Sequence, residues 1–221
     1  MTRTFLFCGF LFMLISMAPA KKTRIVFFGD SITQAAVKPG GYIDRLQNII
    51  NTRSLQDQYD LVGAGISGHK VYDLLFRMET DVLARDPQAV VIYVGINDVW
   101  HKSTSGTGTD IGRYEKFYTA MINKFKEKNI RVVVCTPTVI GEKKGGGNPQ
   151  DKDLDAYSEV VRRLAASLQC SLVDLRKAFS DYENVYNKED KESGILTTDR
   201  VHLNDAGNQL VADEMAKVLL Q

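Results

Sequence analysis

Five short apolar runs rich in β-branched residues recur along the chain, at Arg24 to Phe28, Tyr59 to Gly63, Ala89 to Val94, Ile130 to Cys135 and Ser171 to Leu175. Runs of this length without polar alternation predict strands buried on both faces. Between them the apolar positions change period. Tyr114, Phe117, Tyr118, Met121, Ile122 and Phe125 repeat at i, i+3, i+4, i+7, i+8 and i+11, the stripe of an amphipathic helix. Leu74, Leu75, Met78 and Val82 do the same, as do Leu154, Tyr157, Val161, Leu164 and Leu168. Strict alternation of strand and helix predicts an α/β fold, a parallel sheet with helices on both faces. Three polar stretches, His101 to Gly112, Gly141 to Asp153 and Asp181 to Thr198, are read as following strands. They would then emerge at the carboxyl edge of the sheet, where ligands bind in such folds. Within the second, Lys143 to Asn148 reads as a flexible surface loop.

The first twenty residues follow another pattern. Arg3 supplies a short positive region, Phe5 to Met17 is an apolar run, and Ala18, Pro19 and Ala20 form a small-residue cleavage site. This predicts a signal peptide over 1–20, one domain over 21–221, and a secreted or periplasmic protein. A permanent anchor would need about 20 apolar residues and stop-transfer flanks. Charge narrows the partners: 28 Lys and Arg against 27 Asp and Glu leave a formal net charge of +1, and loss of Arg3 brings the two into balance. Nucleic acid and highly charged substrates are excluded as partners on that ground, since neither would be captured electrostatically. Three His and three Cys at no ligand spacing request no metal. Cys135 and Cys170 are expected at opposite ends of parallel strands, about 15 Å apart. That is beyond the roughly 7 Å Cα limit of a disulfide, so free thiols are predicted.

Four segments at strand ends carry candidate chemistry. The first strand runs into Gly29-Asp30-Ser31-Ile32-Thr33, where a Ser after a buried strand can expose its hydroxyl at the sheet edge. The same residues also suit a helix cap. Near the far end stands Asp199-Arg200-Val201-His202; in a turn, residues three apart face each other, so Asp199 can fix the tautomer of His202. The third strand ends in Gly95-Ile96-Asn97-Asp98, where the Asn97 amide suits either an oxyanion donor or a turn. The second ends in Gly63-Ala64-Gly65-Ile66-Ser67-Gly68, which also fits the dinucleotide pattern G-x-G-x-x-G. That pattern wants an acid about 20 positions on, at the end of the next strand. The next strand here ends in Gly95-Ile96-Asn97, and a strand bearing Gly-Asp-Ser comes before, so a nicotinamide-dependent oxidoreductase is disfavoured.

Together the four segments resemble the sequence blocks of the SGNH hydrolases, also called GDSL esterases or lipases, over about Arg24 to Val218. The resemblance implies a three-layer α/β/α sandwich around a five-stranded parallel sheet of flavodoxin-like order. It makes Ser31 the nucleophile, with Asp199 and His202 completing the catalytic set. The Ser31 N–H, the Gly68 N–H and the Asn97 amide become the oxyanion hole. It implies a cofactor-free serine esterase acting on a small-molecule or glycan ester. Short-chain esters or O-acetyl sugars fit the polar rim, and a lysophospholipase or thioesterase is the alternative. A non-catalytic carbohydrate-binding protein is the alternative of another class. One departure is visible: Gly63 stands where the family often has Asn. His69 and His101 read as exposed loop or helix-start residues, His69 being close enough to Gly68 to touch substrate. Trp100 reads equally as cleft wall or loop packing.

Overall fold

A computed structural model describes residues 21–221. The expected signal peptide, residues 1–20, lies outside the described residues.

Five strands form one parallel sheet: β1 (Thr23–Gly29), β2 (Tyr59–Gly65), β3 (Ala89–Tyr93), β4 (Arg131–Cys135) and β5 (Ser171–Val173). Their spatial order is β2-β1-β3-β4-β5, with Phe27 beside Gly63 on one flank and beside Val91 on the other. The order reverses at β1, so the loops after β1 and β3 diverge and leave a crevice at the carboxyl edge. Around the sheet run α1 (Ser31–Ala36), α2 (Tyr42–Thr52), α3 (Val71–Asp81), α4 (Ile96–Thr104), α5 (Ile111–Glu127), α6 (Asp151–Ser167), α7 (Leu175–Tyr186) and α8 (Asp205–Leu219). Right-handed crossovers place helices on opposite faces when the direction of winding reverses. Accordingly α2 packs on α8 and α8 on α7, while α3 packs on α5 and α5 on α6. The expected α/β/α sandwich is the observed one.

The three inner strands hold the core. Val26, Phe27, Phe28, Val90, Val91, Ile92, Val133 and Val134 are fully buried. Phe28 meets Phe125 of α5 edge-on, and Phe27 meets Tyr42 of α2, so one strand seals both layers. The outer strands depart from the expectation of burial on both faces: most of β2 is half-buried, as is the start of β5. An edge strand has a neighbour on one side only, and β-branched content does not reveal its place. β5 also ends two residues early, because the Asp174 side chain accepts the Lys177 N–H and starts α7. That helix corrects the third polar stretch, whose first part, Asp181 to Tyr186, is helical and does not follow a strand directly. Likewise His101 belongs to α4, not to a loop. Cys135 and Cys170 are free thiols, as their placement on the strands predicts.

Candidate active site

The site begins with a conflict at the end of β1. The chain must leave a buried strand and enter a helix at once. Gly29 permits it: a Cβ there would lie 2.2 Å from Thr33 Oγ1 and 2.4 Å from the Tyr93 carbonyl. Asp30 then caps α1, its carboxylate accepting the Ile32 N–H at 3.0 Å. Capping and chemistry, alternatives in the sequence, are thus shared between neighbours: Asp30 caps and Ser31 points out. Burial pushes the Asp30 carboxyl up to about 7, against the Ile32 hydrogen bond.

Ser31 Oγ lies 3.0 Å from His202 Nε2, across 171 residues of chain. His202 Nδ1 lies 2.7 Å from Asp199 Oδ2. The second oxygen of Asp199 accepts the backbone N–H groups of His202 at 2.8 Å and Val201 at 3.1 Å. Burial alone would raise this carboxyl, but those bonds from His202 and Val201 outweigh it and hold it below the usual value. Asp199 is therefore an anion at neutral pH, and Nδ1 of a neutral His202 keeps its proton toward it. Nε2 is left as the acceptor facing Ser31. The line is open to water, with side-chain exposures of 39% for His202 and 53% for Asp199.

The turn that carries this pair is built like a small hairpin. Thr197 bridges Leu203, and the Thr198 N–H donates to the His202 carbonyl at 2.8 Å. At its tip Arg200 takes φ +82°, a conformation that costs a non-glycine residue on the order of 1–2 kcal/mol. Its carbonyl accepts the Gly141 N–H at 2.8 Å, which holds the tip in place. Below the turn, the buried carboxylate of Glu142 accepts N–H groups of Ile195, Leu196 and Thr197 at 2.8, 2.7 and 2.5 Å. Asn187 adds to the clasp, its amide donating to the carbonyls of Glu142 and Lys191. The Gly141 to Asp153 stretch is thus anchored at Glu142 and at the buried Asn148, while its Lys143 and Gly145 to Gly147 are exposed.

Two further loops face the same edge. Gly68 adopts φ +77°, and a Cβ there would meet nothing within 4 Å, so its glycine answers to backbone conformation rather than crowding. The loop before it is tied to the Ser31 segment: Ile66 N–H donates to the Gly29 carbonyl at 3.2 Å and Ser67 N–H to the Gln34 side chain at 3.1 Å. Asn97, buried in the first turn of α4, donates its amide to the His69 carbonyl at 3.0 Å. That bond fixes the amide nitrogen, and not its oxygen, on the side of the Gly68 loop. Among the described residues neither the Ser31 nor the Gly68 N–H donates to another protein group. An orphan donor at a helix start and one in a left-handed turn suit an incoming negative charge. Asp98, next to Asn97, accepts the Val71 N–H with both oxygens at 3.2 Å and so joins this loop to α3; burial raises its carboxyl to about 6.

A match to the family model described as the GDSL-like Lipase/Acylhydrolase family covers residues 27–210. The chain belongs to that family. It is a carboxylic ester hydrolase of the SGNH type. Among its relatives, an acetylxylan esterase of Geobacillus stearothermophilus is 28% identical over 208 residues, covering 86% of this chain and 90% of the relative. An isoamyl acetate-hydrolyzing esterase of Schizosaccharomyces pombe is 24% identical over 221 residues, covering 93% and 82%. Among solved structures, an acetyl xylan esterase superposes with a TM-score of 0.86 at 54% identity, covering 88% of this chain and 98% of that one. Structures of the Geobacillus stearothermophilus esterase include catalytic mutants in which a Ser, an Asp or a His is changed to Ala.

All five residues singled out in the sequence, Ser31, Gly68, Asn97, Asp199 and His202, lie at the carboxyl edge of this hydrolase. The departure at Gly63 has a local reason: a Cβ there would sit 2.4 Å from Val37 Cγ1, so α1 closes over the place. Trp100 is half-buried against the core with its ring 5.9 Å from that of His101, which favours packing over a cleft wall. Glu142 and Arg77 have no counterpart in the sequence reading. Glu142 sat in a stretch read as loop, and Arg77 is one charged residue in an amphipathic helix; what each touches is set by distant segments.

Proposed function

We propose that this hydrolase removes short acyl groups, O-acetyl groups of carbohydrates above all, by way of an acyl-enzyme at Ser31. The observation that carries the reading is the unbroken hydrogen-bonded line from Ser31 through His202 to Asp199, beside free N–H donors. Ser31 Oγ attacks the ester carbonyl carbon while its proton passes to His202 Nε2. The carbonyl oxygen becomes an oxyanion received by the N–H groups of Ser31 and Gly68 and by the Asn97 amide. As the tetrahedral intermediate collapses, the bond to the leaving alcohol breaks and His202 returns the proton to that oxygen. Water then repeats the cycle, giving up a proton to His202 and releasing the carboxylic acid and Ser31. Asp199 stays ionised throughout and supports the imidazolium.

Three things support a short acyl group on a sugar. Apart from Ile111, His101 to Gly112 is polar, as is Lys143 to Asn148, so these stretches offer no continuous apolar wall to reward a long chain at about 0.8 kcal/mol per CH2. The neutral charge balance suits an uncharged polyol. The 54% identical structure is that of an acetyl xylan esterase. Among the described residues no helix is long and apolar enough to cross a membrane. With residues 1–20 as a signal peptide, the mature domain 21–221 would work outside the cytoplasm, where such glycans are met.

The test is kcat/KM for p-nitrophenyl esters from acetate to palmitate, together with acetate release from acetylated xylo-oligosaccharides, for wild type and Ser31→Ala. The expected outcome is a maximum at acetate, rapid labelling by a fluorophosphonate, and loss of both turnover and labelling in a folded Ser31→Ala variant. A rate that climbs beyond octanoate would assign a lysophospholipase or thioesterase instead, and full activity of Ser31→Ala would remove the nucleophile.

A further inference from the structure

We propose that Arg77 is the positioning residue of the oxyanion hole, holding the Gly68 loop in register with Ser31 through His69. The inference rests on the assignment of Ser31, Gly68 and Asn97 above.

Arg77 lies in the second turn of α3, and its side chain is only 11% exposed. Its guanidinium reaches four acceptors. Nη2 donates to the Gly29 carbonyl at 2.7 Å, Nη1 to the Ala64 carbonyl at 3.0 Å and to Asp81 at 2.7 Å, and Nε to His69 Nδ1 at 3.0 Å. The group also stacks over the Phe28 ring at 4.5 Å. Asp81, four residues on, balances the charge. The other three acceptors lie elsewhere in the chain, on the segments that bear the site. Gly29 stands two residues before Ser31, Ala64 is the last residue but one of the strand that feeds the Gly68 loop, and His69 adjoins Gly68. A helical ion pair alone would need only Asp81. The planar fork instead fixes the ends of two strands and a loop in one plane, which an ammonium with its three swivelling donors cannot reproduce.

His69 is held from both sides, its ring by Arg77 and its carbonyl by Asn97. Because Arg77 Nε–H donates to Nδ1, that nitrogen carries no proton, and the ring proton sits on Nε2. Protonating Nδ1 would set an imidazolium against a guanidinium. Burial and then the Arg77 charge both push the ring toward neutrality; the other charges near it are Asp73, Lys70 and Asp81, all on α3 or directly before it. Two histidines therefore stand at the site in opposite tautomers. Asp199 keeps the proton of His202 on Nδ1 for base chemistry, whereas Arg77 empties Nδ1 of His69 and removes that ring from acid–base work. His69 becomes a rigid strut between Arg77 and Asn97.

The experiment compares Arg77→Met, Arg77→Lys and Asp81→Asn on p-nitrophenyl acetate, with 15N NMR of the imidazoles in the wild type. Arg77→Met is expected to lower kcat by about 10²-fold with KM changed less than about twofold, since the misplaced donors meet charge only in the transition state. Arg77→Lys should recover little of this. Asp81→Asn, which leaves the three site contacts in place, should keep kcat near wild type. The wild-type His69 resonances should report a proton on Nε2, and none on Nδ1, at pH 8, a result that does not depend on any variant folding. A wild-type kcat in folded Arg77→Met, or a His69 that carries its proton on Nδ1 at pH 8, overturns the proposal. Full activity of Ser31→Ala would instead bring down the reading on which it rests, so the two failures are distinct.

Discussion

Asn97 illustrates how one side chain can be committed twice. One amide hydrogen is spent on the His69 carbonyl, which leaves the other aimed by covalent geometry and not by the substrate. Asn97→Ala should therefore lower kcat by about 10² to 10³ while KM stays nearly constant, because the amide meets full charge only in the transition state. Steady-state kinetics on p-nitrophenyl acetate checks this, and an effect confined to KM would make Asn97 a substrate-binding residue. A pH profile tests the neighbouring pair. The Asp199 carboxyl lies below the usual range, so it stays ionised as the solution is made mildly acidic and its own protonation does not account for a loss of rate there. The rate of acylation should fall as the solution is made acidic, because a protonated imidazole cannot accept the Ser31 proton. A flat profile with chemistry limiting would exclude His202 as the base. All of these residues were legible in the sequence, because each belongs to a short motif: Asn97 follows a strand, and Asp199 and His202 face each other within one turn. Arg77 was not, since its role lies in what Gly29, Ala64 and His69 bring to it from three other places.

Elements set how well such motifs are held. The turn from Thr197 to Leu203 has little apolar material and stands on the Glu142 carboxylate beneath it. Glu142→Ala would leave three backbone N–H groups without partners, costing roughly 3 kcal/mol or more, whereas Glu142→Gln keeps one acceptor oxygen and should cost less. Urea unfolding checks the order. The folded Glu142→Ala protein should also show a lower kcat, because the proposed base, His202, is carried on the loosened turn. The same region marks where sequence reading ran short. Leu175, Phe179, Tyr182, Glu183 and Tyr186 do carry a helical stripe, but it begins inside an apolar run read as strand and ends among charges read as loop. Asp174 decides the boundary by capping, a choice of one hydrogen bond that periodicity does not register. The inner strands and α3, α5 and α6 were legible because burial on a large surface leaves an unbroken period. Edge strands were not, since a half-covered strand has the same composition as a covered one.

At the scale of the molecule, acidic groups gather beneath the site. Burial, aided by Glu142, pushes the Glu183 carboxyl up to about 8, so the folded protein holds a proton there that the unfolded chain releases near 4.5. The sign follows from linkage: between those two values stability falls as pH rises, by roughly 1.4 kcal/mol per unit for a single group. Glu183→Gln should raise the melting temperature at pH 8 more than at pH 5, and differential scanning calorimetry at the two values decides it. An equal effect at both would mean that the carboxyl is already ionised in the fold. The sheet order carries another consequence. Ser31 opens α1 directly after the first strand, while His202 stands just before α8, whose Asp205 and Gln209 are held by Arg45 of α2. A chain growing on the ribosome therefore presents Ser31, the proposed nucleophile, well before the His202 imidazole exists. Esterase turnover is the last property such a chain acquires, and in refolding it should trail the recovery of sheet dichroism, so that the enzyme's own reaction serves as the clock for the docking of its final helix.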